Sequence, residues 1–384
     1  MPTPIYEAFC TASVRFLLIP IVCCAVPVLG APVEGSLPIK WDIGAADCKA
    51  FPPPPLQVHA YEPHTFILRE SPCADPEANF LYLLIGSEKA LLIDTGAVAD
   101  PSKMPLAKTV LSLLPTKDGV RLPLLIVHTH RHRDHYAGDV QFASAPDVQV
   151  VAPDLNGVRA FFRFDHWPEG ASHLDIGDRI VHVIPTPGHE TAQVVVYDER
   201  TALLFSGDFL MPGRLTLEDP GADKKSAARV ISFLTARPLA HILGGHIERD
   251  VAGHTYSEGS THHPSERPLE LSREDLMKLP SALASFNGFY ASHENYSITH
   301  PMHNLLALLV VACALLSIVI LMVYRFVRRR RAFRCSTQRG GRRLNDVRWP
   351  ASALTSDHQV GRTWRGVLGH GDGRNGTRPR EVDL

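Results

Sequence analysis

Between residues 128 and 135 the chain reads His-Thr-His-Arg-His-Arg-Asp-His, directly after the apolar run Leu122–Val127. Imidazole and carboxylate at this density are ligands for first-row divalent metals. Neutral imidazole suits zinc or iron, and the carboxylate adds the negative charge a second cation needs. A buried strand ending in H-x-H-x-D-H delivers these groups together to one edge of a sheet. Three further donors follow strand-like apolar runs in the same manner. Ile180–Ile184 leads to His189 through Pro185-Thr-Pro-Gly188, Ala202–Phe205 leads to Asp208, and Leu239–Leu243 leads to His246. In α/β sheets functional groups collect in the crevice beyond the strand ends, so the four placements converge on one site. Gly188, Gly207, Gly244 and Gly245 beside the donors admit tight turns and close backbone approach.

The ordered set T-H-R-H-R-D-H, P-G-H, S-G-D and G-G-H, with Leu91-Leu-Ile-Asp-Thr-Gly96 before it, resembles the metallo-β-lactamase-fold hydrolase superfamily over residues 57 to 285. The resemblance implies an α/β fold, the four-layer αβ/βα sandwich, and a dinuclear centre that is usually zinc. Carried over by motif, His130, His132 and His189 hold the first metal. Asp134, His135 and His246 hold the second, and Asp208 bridges the two. Asp94 resembles the family's carboxylate that orients a ligand imidazole. All of these positions carry the expected residue type. Asp134 and Asp208 are the candidate catalytic carboxylates, and Asp134 is also placed to receive or steer a proton. Two divalent cations about 3.5–4 Å apart share a hydroxide and aim it at the carbonyl carbon of a small ester, thioester or lactone.

The branch is narrowed by Asp208, which the β-lactamases of this fold usually lack and the glyoxalase-II, lactonase and phosphodiesterase branches carry. The glyoxalase-II glutathione-binding segment is not recognisable in residues 247–300. Alternatives on the same residues are a phosphodiesterase, a β-lactamase, or a metal-holding membrane protein without turnover. His128 reads as a packed strand-end residue, His262 and His263 as solvated loop residues, and Trp167 with Phe161-Phe162 as core.

The elements that must position these groups read as strands alternating with helices, which fits a layered α/β domain. Phe80–Gly86 and Ala90–Asp94 form a hairpin, Leu106–Leu114 and Lys224–Thr235 have helical spacing, and Val148–Val151 is a short strand. The catalytic domain spans 57–300, preceded by a Pro-rich linker over 32–56 that contains Pro52-Pro-Pro-Pro55.

The net charge of −1 conceals an asymmetry. Residues 325–384 hold 15 Arg against 5 acidic residues, while residues 32–324 hold 23 basic and 34 acidic ones. An acidic catalytic domain is a poor match for a polyphosphate backbone, so no nucleic-acid partner is expected. The substrate is expected to be a small molecule.

Two apolar segments bracket the domain. Phe16–Gly30, with two prolines, is short for a bilayer span and reads as part of a signal peptide over 1–31, either cleaved or retained as an anchor. Leu305–Tyr324 is 20 residues without a charge, long enough for a hydrocarbon core of about 30 Å, and defines a transmembrane helix over 304–324. The arginines at 325, 328, 329, 330, 331 and 334 then place the basic tail, 325–384, in the cytoplasm and the catalytic domain outside it. The tail lacks periodicity and is expected to be disordered. Of seven cysteines only Cys48 and Cys73 fall in the exported part, which invites a disulfide contributing around 3 kcal/mol.

Overall fold

The computed structural model describes Met1 and residues 31–343; the expected signal segment, apart from its two end residues, and the tail beyond residue 343 lie outside the described residues. The chain divides into two units, Met1–Val311 and Ala312–Leu384.

The first unit is built on two six-stranded sheets. One runs in the order Leu56–Glu62, Thr65–Glu70, Phe80–Ile85, Ala90–Ile93, Leu124–Val127, Val148–Val150. The other runs Glu270–Leu271, His241–Gly244, Leu203–Gly207, Val194–Asp198, Ile180–Pro185, Ser172–Asp175. Central strands such as Phe-Leu-Tyr-Leu-Leu-Ile (80–85) are apolar at every position because both of their faces are covered. Alternate residues therefore serve different cores. Phe80, Tyr82 and Leu84 point into a core shared with Val181, Val183, Val194 and Phe205 of the opposite sheet. Leu81, Leu83 and Ile85 point outward onto Leu106 and Val110 of the helix Leu106–Leu113. On the far side, Val195, Tyr197, Leu204 and Ile242 pack against Ala227, Val230, Leu276 and Leu279 of the helices Pro220–Leu234 and Arg273–Ser285. Three apolar seams separate four layers, the αβ/βα sandwich that the motifs implied.

The outer helices begin where their sequence says they must. Asp219 caps the first with its carboxylate on the Ala222 amide and Pro220 occupies the opening turn. Ser272 and Asp275 form a reciprocal capping box for the second.

Residues 32–56 are not a free linker. They contain no helix, and no strand before Leu56 opens the first one, yet Trp41 is buried edge-on against Phe80, and Leu37 and Ile39 pack on the same core. Cys48 and Cys73 are joined in a disulfide that ties this segment to the domain. Its apolar residues Leu37, Ile39 and Trp41 join the core between the two sheets, which holds the segment against the domain.

The helix expected over 304–324 runs from Pro301 to Arg343. No proline interrupts it after the first residue, and arginine, the commonest residue of the basic stretch, is a favourable helix former, so that stretch continues the helix through residue 343, the pair Gly340-Gly341 included, where disorder was expected. Its stretch Pro301–Ala332 contains a window of mean hydropathy 3.2 and none of that window is buried.

Candidate metal centre

The two sheets present their functional ends to one another. Ala90–Ile93 and Leu124–Val127 are parallel neighbours, with Ile93 opposite Val127, so Asp94 and the His128–His135 segment leave the sheet side by side. Leu203–Gly207 and His241–Gly244 are also parallel, with Gly207 opposite Gly244, which places Asp208 beside His246. Two backbone hydrogen bonds join the sheets here, Val194 N to Thr129 O at 2.8 Å and Phe80 N to Gly245 O at 2.8 Å. Close approach is enforced. A Cβ on Gly245 would lie 2.6 Å from Asp208 Oδ1, and Gly207, at φ +49°, would meet Thr129 in the same way.

All seven sequence-expected donors converge. His130 Nε2, His132 Nδ1 and His189 Nε2 lie 3.0–3.2 Å from one another. Asp134 Oδ2 is 3.2 Å from His135 Nε2 and 3.4 Å from His246 Nε2. Asp208 stands between the groups, with Oδ1 3.4 Å from both His135 Nε2 and His246 Nε2, and Oδ2 3.6 Å from His189 Nε2. Donors around a tetrahedral cation at about 2.0–2.2 Å lie roughly 3.3–3.6 Å apart, close to this spacing.

The remaining ring nitrogens fix which atoms face inward. His135 Nδ1 donates to Asp94 Oδ2 at 2.9 Å, His246 Nδ1 to Glu77 O at 2.7 Å, and His189 Nδ1 to Thr216 O at 2.5 Å. Each bond leaves the Nε2 lone pair directed at the cluster, the arrangement a ligand imidazole requires. Asp94 is buried at φ +63° and also accepts from Thr129 N at 2.7 Å and Thr129 Oγ1 at 2.8 Å.

Electrostatics single out the same groups. Burial and the neighbouring His135 depress His130, and burial with His189 depresses His132, so both imidazoles are neutral donors. Burial opposes charge on His246, yet Asp208 and Asp134 raise it to about 10. Asp208 and Asp134 are also buried, and the imidazoles around them nevertheless hold both carboxylates far below their usual range. Asp208 Oδ1 is buried without a hydrogen-bond partner. Lone pairs converging on one another and buried carboxylates demand positive charge among them, and divalent cations fit that demand.

The cluster floors a cavity of about 580 Å³ whose walls include Glu77, Met211, Arg214, Glu248, Tyr290 and Asn304. None of these wall residues was singled out from sequence, since single side chains on separate loops carry no periodic or motif signal. Asn79, buried with Nδ2 3.4 Å from Asp134 Oδ2, was missed for the same reason. His128 is a packed strand-end residue, its Nε2 2.9 Å from Asp139 Oδ1. His263, expected in solvent, is buried. It stacks on Tyr256 with ring centroids 4.5 Å apart and faces Glu266, which also neutralises the buried Arg69.

Residues 74–287 match the family model of the metallo-beta-lactamase superfamily. The chain is 29% identical over 212 residues to the acyl-coenzyme A thioesterase MBLAC2 of Homo sapiens, covering 47% of this chain and 74% of that one. It is 35% identical over 133 residues to a hydroxyacylglutathione hydrolase of Rhodopseudomonas palustris, covering 34% of this chain and about half, 48%, of that one. A metallo beta lactamase from Hirschia baltica overlays with a TM-score of 0.42 at 14% identity, over 60% of this chain and 98% of that one. The chain belongs to the metallo-beta-lactamase superfamily, as a metal-dependent hydrolase.

Proposed function

We propose that the protein is a membrane-anchored dinuclear hydrolase that cleaves an ester, thioester or lactone outside the cytoplasm. The reading is carried by one observation: Asp208 lies between two three-residue donor groups, His130/His132/His189 and Asp134/His135/His246. When bound, two divalent cations, zinc being the best match to imidazole and carboxylate, supply a water that ionises near neutral pH and an electrophilic anchor for a carbonyl oxygen. The chain's own residues do the rest. Asp208 holds the two groups at fixed separation, one carboxylate oxygen toward each. Asp134, whose side chain is 23% exposed at the cavity floor, is placed to accept a hydrogen bond from the attacking water and steer its proton toward the leaving atom. Asp94, Glu77 and Thr216 hold the imidazoles in the ligating tautomer. The name of the thioesterase relative supports a thioester within the substrate class.

Anchoring is supported by the exposed, uncharged run Leu305–Tyr324, and orientation by the arginines that follow it. The Cys48–Cys73 disulfide suits a domain in an oxidising compartment. The test is elemental analysis of the purified protein, with ester, lactone and thioester hydrolysis measured before and after chelation and after zinc is restored. Two zinc ions per chain and turnover lost and regained with them are expected; hydrolysis that persists in the metal-free protein overturns the mechanism.

A further inference from the structure

The wall of the catalytic cavity and the start of the apolar helix are the same residues. Pro301 and Asn304 line the cavity, and Leu305, the next residue, opens the uncharged run. This adjacency is built through a short path. His189 donates to the carbonyl of Thr216, and the strand Arg214–Thr216 pairs in parallel with Ser297–Thr299, Thr216 opposite Thr299. Pro301 follows two residues later. With neighbouring strands about 4.8 Å apart and about 3.3 Å per extended residue, the helix begins within roughly 15 Å of the imidazole of His189.

That start is clamped. Asn304 Nδ2 donates to Phe289 O at 3.2 Å and to Thr299 Oγ1 at 3.1 Å, and His303 Nδ1 to Gly288 O at 3.0 Å. The clamp holds large side chains in solvent beside the cavity mouth: Phe289, Tyr290 and Met302 are 47%, 54% and 60% exposed, and Tyr290 also lines the cavity. From Leu305 to Val311 the leucines and valines are all half exposed or more. An aromatic and methionine rim continuous with an uncharged helix is what a headgroup-level belt requires.

The length of the run fixes the depth. Twenty residues rising about 1.5 Å each just match a hydrocarbon core of about 30 Å. A run of that length leaves little slack, which puts Leu305 near the hydrocarbon edge and Asn304, with the cavity wall it forms, near the headgroup layer. Charge narrows the occupant further. The cavity wall carries Glu77, Glu248 and Glu258 against one guanidinium, Arg214, which is already paired with Glu248 at 2.6 Å. A substrate handle rich in phosphate finds no free cationic side chain among the described wall residues.

We infer that the cavity opens on the bilayer surface and draws its substrate from it: a fatty-acyl ester or thioester with an uncharged or zwitterionic head, the methyl end of its chain left in the lipid while the acyl carbonyl reaches the metal centre. In the reaction the oxygen of one water bonds to the carbonyl carbon, the bond to the leaving oxygen or sulfur breaks, and the water proton passes to that atom. Fatty acid and alcohol or thiol are released. This deepens the hydrolase reading and rests on it.

The test uses the full-length, zinc-loaded protein in phosphatidylcholine vesicles. Two esters of one fluorogenic alcohol are compared, a soluble acetyl ester and a bilayer-embedded palmitoyl ester, in the parent and in a variant with eight Gly/Ser residues inserted between Asn304 and Leu305. The insert allows the site to move about 15 Å from the surface. The ratio of palmitoyl to acetyl turnover is expected to fall at least tenfold. Independently, in the uninterrupted chain, the emission added by Phe289→Trp is expected to be quenched by bromine-labelled lipid acyl chains. Equal effects on both esters, or no quenching at Trp-substituted position 289, overturn the inference and leave the hydrolase reading intact. No turnover of either ester by the zinc-loaded parent, or turnover that a chelator does not abolish, overturns the hydrolase reading instead.

Discussion

Asp94 touches no expected metal donor except His135, and the structure makes its contribution calculable. It takes the Thr129 amide on one oxygen and both the Thr129 hydroxyl and His135 Nδ1 on the other. Asn fits the same volume and tolerates a φ of +63°. In Asp94→Asn the amide oxygen keeps the Thr129 amide, while the new NH2 faces two donors. The hydroxyl rotates away, but the imidazole relieves the clash only by moving its proton to Nε2, the atom directed at Asp134, Asp208 and His246. A protonated Nε2 is no ligand. The expected loss is about 10–100-fold in affinity at the second group, or roughly 1.4–2.8 kcal/mol, with the fold preserved. Asp94→Ala takes the acceptor from three buried donors; the Thr129 hydroxyl can rotate away, but the Thr129 amide and His135 Nδ1 are left unpaired at about 1–3 kcal/mol each, and about 1–2 kcal/mol of left-handed backbone strain is added. It is therefore expected to unfold at markedly lower denaturant than the Asn variant. Competition for zinc against a chromophoric chelator reads affinity, and urea titration at saturating zinc reads the fold. An Asn variant that binds two ions as tightly as the parent refutes the tautomer argument.

Other consequences follow from the same geometry. His132→Ala is expected to retain the sheets but bind one zinc per chain in place of two, with turnover lost, by elemental analysis and ester assay. Asp208→Asn weakens the link between the donor groups, so ion binding should be sequential and turnover reduced at unchanged thermal stability of the metal-free form. Burial raises Glu70 from an ordinary 4.5 to about 8 despite the Ala97 amide it accepts. Between those pH values the folded chain holds a proton the unfolded chain has released, so stability falls as pH rises through that window. Glu70→Gln is expected to remove the slope, gaining several kcal/mol at pH 8 relative to pH 5 at ~1.4 kcal/mol per unit, by denaturation of the zinc-saturated protein at both pH values. Reduction of Cys48–Cys73, which spans a sequence separation of 25, is expected to cost about 3 kcal/mol in the same assay.

Much of the site was legible before the fold because its chemistry is compressed. Four donors lie within six residues of one strand end, and the other three each follow an apolar run and a glycine. Long apolar strands, buried on both faces, and the helix spacing at 106–114 gave the layered architecture. The antiparallel strands Leu56–Glu62 and Thr65–Glu70 escaped because the first is half exposed and broken by polar residues. The small sheet of Arg214–Thr216, Ser297–Thr299 and Tyr290–Ser292 escaped because three-residue strands carry no period.

The sequence by itself determined the ligand types, their order along the chain and the presence of an uncharged 20-residue run. Those are properties of composition and spacing, set residue by residue. Only the tertiary structure decided that Leu37, Ile39 and Trp41 belong to the core, that Asp94 governs the proton on His135, and that Asn304 is a wall of the catalytic cavity. Each of these depends on strand register and on contacts between residues far apart in the chain, which arise only when the two sheets close on one another.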